Sequence, residues 1–296
     1  METSICIVTF NACERLQECL RSLEQYPPGG EYEIIVVDNA SSDNTLALLA
    51  NEFPQVRVIQ NTKNEGFTKP LNQALSAASG KYLVSLNPDT LLTQDLFNPL
   101  QGFMVEHPEA GIITPKVLNQ DGTLQLQCRR GEAHPLEVFG YFLHLDRLFP
   151  RNKILGGYLM RWLPEDEIAE VPAVSGSCML IRRNVIEQVG LFDERFFAFQ
   201  EDADLCFQAR KAGWKVFYVP MSSVVHFGGE GGSAVMPYYG VYQWHRSYYL
   251  YYKKNLAKDH FFLFNWFYYG LMTLKFAWAM IVTFFRKKKV VGTPKK

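Results

Sequence analysis

Short, mostly apolar runs alternate with helical patterns through residues 1–120 of this chain. Apolar side chains recur at helical spacing at Leu16, Leu20 and Leu23, and again between Leu71 and Ala78. Around these helices the apolar runs predict buried strands, namely Ser4–Thr9, Glu33–Val37, Val56–Ile59 and Tyr82–Leu86. Alternation of this kind builds right-handed strand–helix–strand units. It therefore predicts a mainly parallel sheet covered by helices, with ligands bound where the strands end.

The pattern is less regular in the second half of the chain. It predicts a helix over Asp202–Ala212 and further strands at Gly111–Pro115, Cys178–Ile181 and Lys215–Val219. Residues 128–170 form an insert rich in Arg, Phe, Leu and Pro, with no clear period. A helical candidate in this insert, Val138–Leu148, either covers a site, touches a lipid acceptor or simply packs on the domain.

The carboxyl-terminal segment, residues 261–285, is apolar and aromatic with a single charge, Lys275, and a basic run follows at 286–289. About 25 helical residues are long enough to cross a bilayer. Crossing from the cytosol would place the basic tail on the disfavoured side, because basic residues already precede the segment. We therefore expect a helix or helical hairpin that lies in the membrane interface. The alternative is a buried helix packed on the domain.

Charge and cysteine content exclude several classes of protein. Lysine plus arginine and aspartate plus glutamate number 30 each, so net charge gives no reason to expect a nucleic-acid partner. The six cysteines form no CxxC pair and no zinc spacing, which is typical of reduced thiols in the cytosol. The amino terminus enters an apolar strand without the features of a signal peptide. We expect a catalytic part that stays in the cytosol.

Polar residues follow the predicted strands in the first half. Asp38 ends the second strand, where a carboxylate can accept the N–H of a pyrimidine ring. Gly66, in the loop Asn64-Glu65-Gly66-Phe67, either lets the backbone approach a ligand or belongs to an ordinary turn. Neither a G-x-G-x-x-G fingerprint nor a Walker phosphate loop follows the first strand. Phosphate charge must therefore be met by another group.

The triplet Asn87-Pro88-Asp89 directly follows the buried strand Tyr82–Leu86 and is the candidate for that role. Asn, Pro and Asp together are also good turn residues, and the triplet alone fits a turn. An Asp at a strand end can instead hold a hard divalent cation that bridges nucleotide phosphates. Asp89 with a metal is the natural partner for phosphate charge.

Further candidates lie between residues 196 and 246. Glu201, Asp202 and Asp204 begin a helix, where carboxylates cap the first turn, but aromatic residues precede them and favour a desolvated base at Asp202. His226 precedes a glycine-dense loop, which suits a metal ligand on a closing segment. Arg246 either pairs with a diphosphate or is an ordinary surface arginine.

In order and spacing, these motifs resemble those of family 2 glycosyltransferases over residues 4–255. The closest resemblance is to the bacterial rhamnosyltransferase-like branch, which builds cell-surface polysaccharide on lipid-linked acceptors. The motifs that carry it are Ile7–Asn11, Val37–Asp43, Asn64–Phe67, Asn87–Asp89, Gly176-Ser177, Glu201–Asp204 with Ala212-Gly213-Trp214, and His226.

The resemblance implies a GT-A fold, a metal-dependent nucleotide-sugar donor and inversion at the anomeric carbon by single displacement. It implies a general base at Asp202 and a Mg²⁺ or Mn²⁺ held by Asp89 and His226. The family's metal motif often reads Asp-x-Asp, whereas this chain has Asn87 in the first position. The implied nucleotide-sugar site comprises Thr9, Asn11, Asp38, Asn64, Gly66, Asn72, Asn87, Glu201 and Arg246.

The expected organisation is a GT-A domain over residues 1–255 and a membrane-associating helical segment with a basic tail over 256–296. Within the domain, residues 1–120 would form the nucleotide-binding half and 121–255 the acceptor and catalytic half. We expect transfer of a sugar, with rhamnose as the candidate, from a dTDP- or UDP-sugar to a lipid-linked or cell-surface glycan at the cytoplasmic face of the membrane. The alternatives are a catalytically silent nucleotide-sugar-binding regulator and a soluble nucleotidyltransferase.

Overall fold

The amino-terminal half of the chain alternates strands and helices as the apolar pattern predicts. The structure is a computed structural model that describes residues 1–228 and 237–285. The first strands are β1 (Thr3–Thr9), β2 (Tyr32–Asp38), β3 (Arg57–Gln60), β4 (Tyr82–Leu86), β5 (Thr90–Leu92) and β6 (Ala110–Leu118). The helices between them are α1 (Cys13–Gln25), α2 (Thr45–Glu52), α3 (Thr68–Ala77) and α4 (Phe97–Glu106). The predicted face of α1, Leu16, Leu20 and Leu23, is fully buried.

The second half has shorter elements. Its strands are β7 (Arg129–Arg130), β8 (Ala169–Glu170), β9 (Ala173–Val174), β10 (Cys178–Arg182) and β11 (Lys215–His226). Its helices are α5 (Pro135–Phe142), α6 (Leu145–Leu148), α7 (Arg183–Val189), α8 (Glu201–Lys211), α9 (Pro237–Tyr251) and α10 (Phe262–Phe285). A π-helical turn, Tyr252–Leu256, and a 3₁₀ turn, Ala257–Asp259, join α9 to α10.

Two elements differ from the sequence prediction. The strand predicted at Lys215–Val219 continues to His226 as β11, with a shift of register between Tyr218 and Ser223. Pro220 lies in that shift and lacks the N–H that a regular ladder needs. The helical candidate Val138–Leu148 is divided into α5 and α6, because His144 has a left-handed backbone conformation, with φ of 57°.

The central sheet of the described residues is mixed and mainly parallel, as predicted. Its strands follow the order β3-β2-β1-β4-β10-β6-β11-β5, and β8 pairs with β11. The neighbours β3, β2, β1 and β4 run parallel, whereas β10 is antiparallel to both β4 and β6. Because β1, β2 and β4 are parallel, the residues that follow them meet at one edge of the sheet. Several predicted site residues of the first half lie at that edge, including Asp38 and the triplet Asn87-Pro88-Asp89.

Helix α10 is long, apolar and exposed. It spans 24 residues with a mean hydropathy of 1.3 over its most apolar window, and 11% of that window is buried. Large side chains such as Trp266 and Phe284 are 74% and 71% exposed. The alternative of a helix buried on the domain is therefore wrong. The basic tail, residues 286–289, lies outside the described residues, as does most of the glycine-dense loop after His226.

Candidate active site

A cleft of about 800 Å³ opens at the edge where β1, β2 and β4 end. One side is formed by residues that follow these strands, including Phe10, Asn39 and the triplet Asn87-Pro88-Asp89. The opposite side is formed by the start of α8, with Glu201 and Asp202. The fold thus brings together candidate residues that are far apart in sequence.

Asn39 organises the loop on the strand side of the cleft. Its Nδ2 donates to Asn64 Oδ1 at 2.9 Å and to the Gly66 carbonyl at 2.7 Å. Its Oδ1 accepts the N–H of Glu65 at 3.1 Å. Asn64, Gly66 and Asn39 all line the cleft, so the predicted loop is a wall of the site and its shape depends on one buried amide.

Gly66 joins the two sides of the cleft by close backbone contact. Its φ is +88°, and a Cβ added there would lie 2.5 Å from the Phe197 carbonyl oxygen. The same oxygen accepts the N–H of Phe67 at 2.7 Å. Glycine is required both by the left-handed conformation and by the approach of residue 197.

We expect Gly66→Ala to destabilise the protein by about 1–3 kcal/mol more than Gly190→Ala and to weaken donor binding, because it adds overpacking to the same backbone strain. Gly190 is the matched control, since its φ is +87° and a Cβ there meets no atom within 4 Å. Thermal unfolding and donor titration of both variants measure the difference. Equal stabilities and equal donor affinities would contradict the role of Gly66.

Thr9 and Asp38 lie beneath the cleft rather than on its surface. They are register partners on β1 and β2, and both are fully buried. Asp38 Oδ2 accepts the N–H of Ser41 at 3.2 Å. Asp38 Oδ1 and Thr9 Oγ1 have no hydrogen-bond partner within residues 1–228 and 237–285. Buried polar atoms without hydrogen-bond partners are costly. These two oxygens are therefore available for a hydrogen bond to a ligand.

Three other predicted donor-site residues use their side chains elsewhere. Asn11 Oδ1 accepts the N–H of Ser42 at 2.7 Å and ties the end of β1 to the loop after β2. Asn72 exchanges hydrogen bonds with the backbone of Phe192, with Nδ2 at 2.8 Å and Oδ1 at 3.1 Å. The Arg246 guanidinium donates to the carbonyl of residue 195 at 2.6 Å. None of the three lines the cleft formed by the described residues, so the structure does not bring them into it.

Asp89 and His226 meet at the end of β11. Asp89 Oδ1 lies 3.2 Å from His226 Nε2, and Asn87 Nδ2 lies 3.0 Å from the same nitrogen. Burial alone would raise the pKa of Asp89, but the hydrogen bond and charge of His226, helped by backbone N–H groups, lower it below its ordinary value. The side chain is therefore an ionised carboxylate at neutral pH.

Gln125 fixes the orientation of the His226 ring. Its Oε1 lies 2.8 Å from His226 Nδ1, while its Nε2 donates to Asn119 Oδ1 at 3.3 Å. When a metal replaces the proton that Nε2 shares with Asp89, a His226 that donates from Nδ1 presents the lone pair of Nε2, as metal-ligating histidines do. Sequence reasoning missed Gln125, since it lies in an irregular stretch before the insert.

The donor set at this position fits a hard or borderline divalent cation. It offers one carboxylate oxygen and one imidazole nitrogen, and the described residues contain no group of three or more His, Cys, Asp or Glu side chains arranged to hold a metal ion. Mg²⁺ and Mn²⁺ bind through few protein ligands when phosphate and water complete the shell. Asp89 and His226 are the residues that would hold such an ion.

Asp202 is held at the first turn of α8 by three donors. Its Oδ1 accepts from the Arg130 guanidinium at 2.6 Å and from the Ala203 N–H at 2.7 Å. Its Oδ2 accepts the N–H of Gly176 at 3.0 Å. Burial alone would lower the pKa of Arg130, but the charge of Asp202 raises it well above its ordinary value. The pair is thus a buried ion pair that faces the cleft.

Glu201 differs from its neighbour because no cationic side chain of the described residues forms an ion pair with it. Burial, and then the charge of Asp202, raise its pKa well above the ordinary value. Its Oε2 is buried without a hydrogen-bond partner in the described part of the chain. The two residues before it, Phe199 and Gln200, have left-handed φ values of 70° and 62°. Such strain in non-glycine residues concentrates at functional sites.

Two arginines that line the cleft were not among the predicted site residues. Arg130 lies on β7 in the insert, and Arg15 lies on α1 with its guanidinium 3.8 Å from the centre of the Phe227 ring. Arg129 beside Arg130 has a structural role, because it donates to the carbonyls of Leu163 and Pro164. A pair of adjacent arginines in a stretch without periodicity gave no signal to separate the two roles.

The comparison with known sequences identifies one family. The sequence model of Glycosyl transferase family 2 matches residues 4–190. A Mycobacterium tuberculosis relative is named N-acetylglucosaminyl-diphospho-decaprenol L-rhamnosyltransferase. It is 29% identical over 230 residues, which are 74% of this chain and 74% of the relative.

Solved structures with the same fold include glycosyltransferases in complex with nucleotide sugars. S. aureus TarS 1–349 with UDP-GlcNAc matches with a TM-score of 0.59 at 19% identity, over 86% of this chain and 68% of that one. The mannosyltransferase PcManGT from Pyrobaculum calidifontis, with GDP-Man and Mn²⁺, matches with a TM-score of 0.58 at 16% identity, over 95% and 72%. The chain spans 66% of another TarS 1–349 structure and 40% of a longer TarS chain. With its mixed sheet, its GT-A-like neighbours and the family match over residues 4–190, this chain belongs to glycosyltransferase family 2 and is a glycosyltransferase.

Proposed function

We propose that this protein is an inverting, metal-dependent glycosyltransferase that moves a sugar from a dTDP- or UDP-sugar to a lipid-linked glycan acceptor. The observation that carries the proposal is the pairing of two acidic centres across one cleft. Asp89 with His226 lies on the strand side, and Asp202 with Arg130 lies on the helix side. One centre suits a diphosphate and its metal, and the other suits proton removal.

Asp89 and His226 would hold Mg²⁺ or Mn²⁺, with Gln125 as the outer partner that orients the imidazole. Such an ion, when bound, neutralises the charge of the leaving diphosphate. Arg15 also lines this cleft, with its guanidinium paired to Glu18 at 2.7 Å and lying over the Phe227 ring. The chain itself therefore supplies a site that orients the diphosphate before transfer.

Asp202 would act as the general base. Its Oδ2 takes the proton of the acceptor hydroxyl as that oxygen forms a bond to the anomeric carbon from the face opposite the diphosphate. The bond from the anomeric carbon to the diphosphate breaks, and its electron pair leaves with the nucleotide. Gly176 N–H and Arg130 hold the carboxylate in place during this step. One displacement of this kind inverts the configuration.

The nucleotide base of the donor would be recognised by Asp38 and Thr9. Asp38 and Thr9 present the unpartnered oxygens beneath the cleft that a pyrimidine N–H would satisfy after a small movement. A rhamnose donor and a prenyl-diphosphate-linked acceptor are suggested by the name of the mycobacterial relative.

A panel of nucleotide sugars tests the donor. With Mn²⁺ present, a pyrimidine donor at a hundredfold excess over its Kd should stabilise the protein by about 2.7 kcal/mol, read as a rise in melting temperature. A GDP-sugar should produce a much smaller rise, because the larger purine ring places its N–H groups farther from the ribose than a pyrimidine does. Equal stabilisation by GDP-, UDP- and dTDP-sugars would contradict the role of Asp38.

Helix α10 is proposed as the membrane-associating segment, and residues 1–255 as the catalytic domain. The exposed aromatic and aliphatic side chains of α10 fit an interface between water and lipid better than water alone. On vesicles that contain anionic lipid, the full chain should float with the lipid, whereas a variant that ends at residue 258 should stay in the soluble fraction. Flotation of the shortened variant would contradict the assignment.

A further inference from the structure

A second pocket, of about 470 Å³, lies between the insert, α9 and α10. Its walls are Phe142 from α5, Trp244 and His245 from α9, and Lys275 from α10. Neither the metal centre nor the base uses it. It is the place where the membrane-associating helix meets the catalytic domain.

Lys275 is the single charged residue of α10, and its half-buried side chain lines this pocket. The Nζ atom is 4.1 Å from the centre of the Phe142 ring and 4.7 Å from that of Trp244. It also lies 3.4 Å from His245 Nε2, whose ring donates from Nδ1 to the Val241 carbonyl at 2.8 Å. The amine is thus a donor to a neutral imidazole and to two aromatic faces.

Lys275 takes part in no ion pair within residues 1–228 and 237–285. Aromatic faces attract a cation but do not neutralise it, and a charge partly removed from water is more costly when no anion lies beside it. A lysine on an otherwise apolar helix could extend its long side chain toward water. That it is directed into an aromatic pocket points to an anionic ligand.

The pocket adjoins the catalytic cleft. Tyr141, Phe199, Gly240 and Trp244 line both. A series of ring contacts leads from the pocket to the cleft. The ring centres of Phe142 and Tyr141 are 5.7 Å apart, and those of Tyr141 and Tyr158 are 5.1 Å apart. Tyr158 in turn accepts a hydrogen bond from Gln200, next to Glu201 and Asp202, at 3.0 Å. A ligand that spans the two spaces would run from the α10 surface to the base.

We propose that the Lys275 pocket binds the phosphate group of the lipid-linked acceptor, with its hydrocarbon chain along the exposed apolar face of α10 and its sugar in the catalytic cleft. The inference rests on the proposed function and names the acceptor's binding site. Phosphate oxygens are strong acceptors for an ammonium group. The exposed side chains beside Lys275, including Leu274 and Trp278 at 69% and 66% exposure, offer the chain an apolar path.

Binding of farnesyl diphosphate to the full chain in detergent tests the pocket without any transfer step. Farnesol lacks the phosphates and inorganic diphosphate lacks the chain, so both should bind more weakly. Lys275→Met should weaken farnesyl diphosphate binding by about 10- to 100-fold, the range for a lost charged hydrogen bond, and Lys275→Arg should restore part of it. The donor-induced rise in melting temperature verifies that each variant is folded.

Lys253→Met is the matched control, because it removes the same charge from an exposed side chain that lies over the Tyr249 ring. It should leave farnesyl diphosphate binding unchanged. Equal affinity of Lys275→Met and the native chain would overturn the inference. So would Lys275-dependent binding to phosphatidylglycerol vesicles that farnesyl diphosphate does not compete away, since the ligand would then be a bilayer headgroup. Transfer to octyl N-acetylglucosaminide, which has no phosphate, tests the proposed function separately.

Discussion

Asp202→Asn is expected to lower the rate of sugar transfer by about 10²–10⁴-fold, the usual contribution of a general base. The amide keeps the size of the side chain and an oxygen that can still accept from Arg130 or Gly176, but it cannot take a proton. Donor binding should change little, because Asp202 lies across the cleft from the Asp89–His226 pair. Single-turnover rates and donor titration measure the two effects separately.

Two further variants make this test specific. Asp204→Asn changes the same residue type in the same helix, but Asp204 pairs with Lys254 at 2.7 Å and with Asn255 at 2.9 Å, away from the cleft. It should lower stability and leave turnover per folded molecule near normal. Glu201→Gln separates the two adjacent carboxylates. If Glu201→Gln abolishes transfer while Asp202→Asn retains near-native turnover, the base is Glu201 and the assignment to Asp202 fails.

Asp89→Ala should remove the dependence of donor affinity on divalent cations and weaken donor binding by more than about 10–100-fold, since even outer partners of a metal cost that much. The variant removes the carboxylate at this position and leaves His226 with Asn87 as its neighbour. Titration of a nucleotide sugar into the native and variant proteins, with Mn²⁺ and with chelator, measures the ratio of their donor affinities under each condition.

Gln125→Leu should have a smaller effect on cation affinity than Asp89→Ala. It leaves both proposed ligands in place but removes the acceptor that orients the imidazole. Its cation affinity should lie between those of the native chain and Asp89→Ala. Donor affinity that is the same with Mn²⁺ and with chelator in the native protein would contradict the metal role of Asp89 and His226.

Much of the fold follows from local pattern. The runs that end at Thr9, Asp38 and Leu86 are buried strands because their apolar residues are continuous, and the parallel sheet follows from the helices between them. The residues after each strand therefore meet in space, which is why Asn64, Asn87 and Asp89 could be placed at one cleft from sequence alone.

Other features depend on contacts that no local pattern encodes. Arg130 reaches Asp202 because the small β7–β9 pair carries the insert to the start of α8. Asn72 and Arg246 have the residue types of a binding site, but nearby backbone groups of the segment 192–195 use their side chains. The exposure of α10 and the position of Lys275 over Phe142 and Trp244 likewise arise from tertiary packing.

The most direct test of the central claim is the anomeric configuration of the product. The native protein, with Mn²⁺, dTDP-rhamnose and N-acetylglucosaminyl diphosphate carried on a short prenyl chain, should release dTDP in amounts equal to the disaccharide formed, and nuclear magnetic resonance should find the anomeric configuration opposite to that of the donor. The same assay is repeated with UDP-sugars as donors. A product that retains the donor configuration, or nucleotide release without any glycoside from every pyrimidine donor, would contradict the single displacement assigned to this cleft.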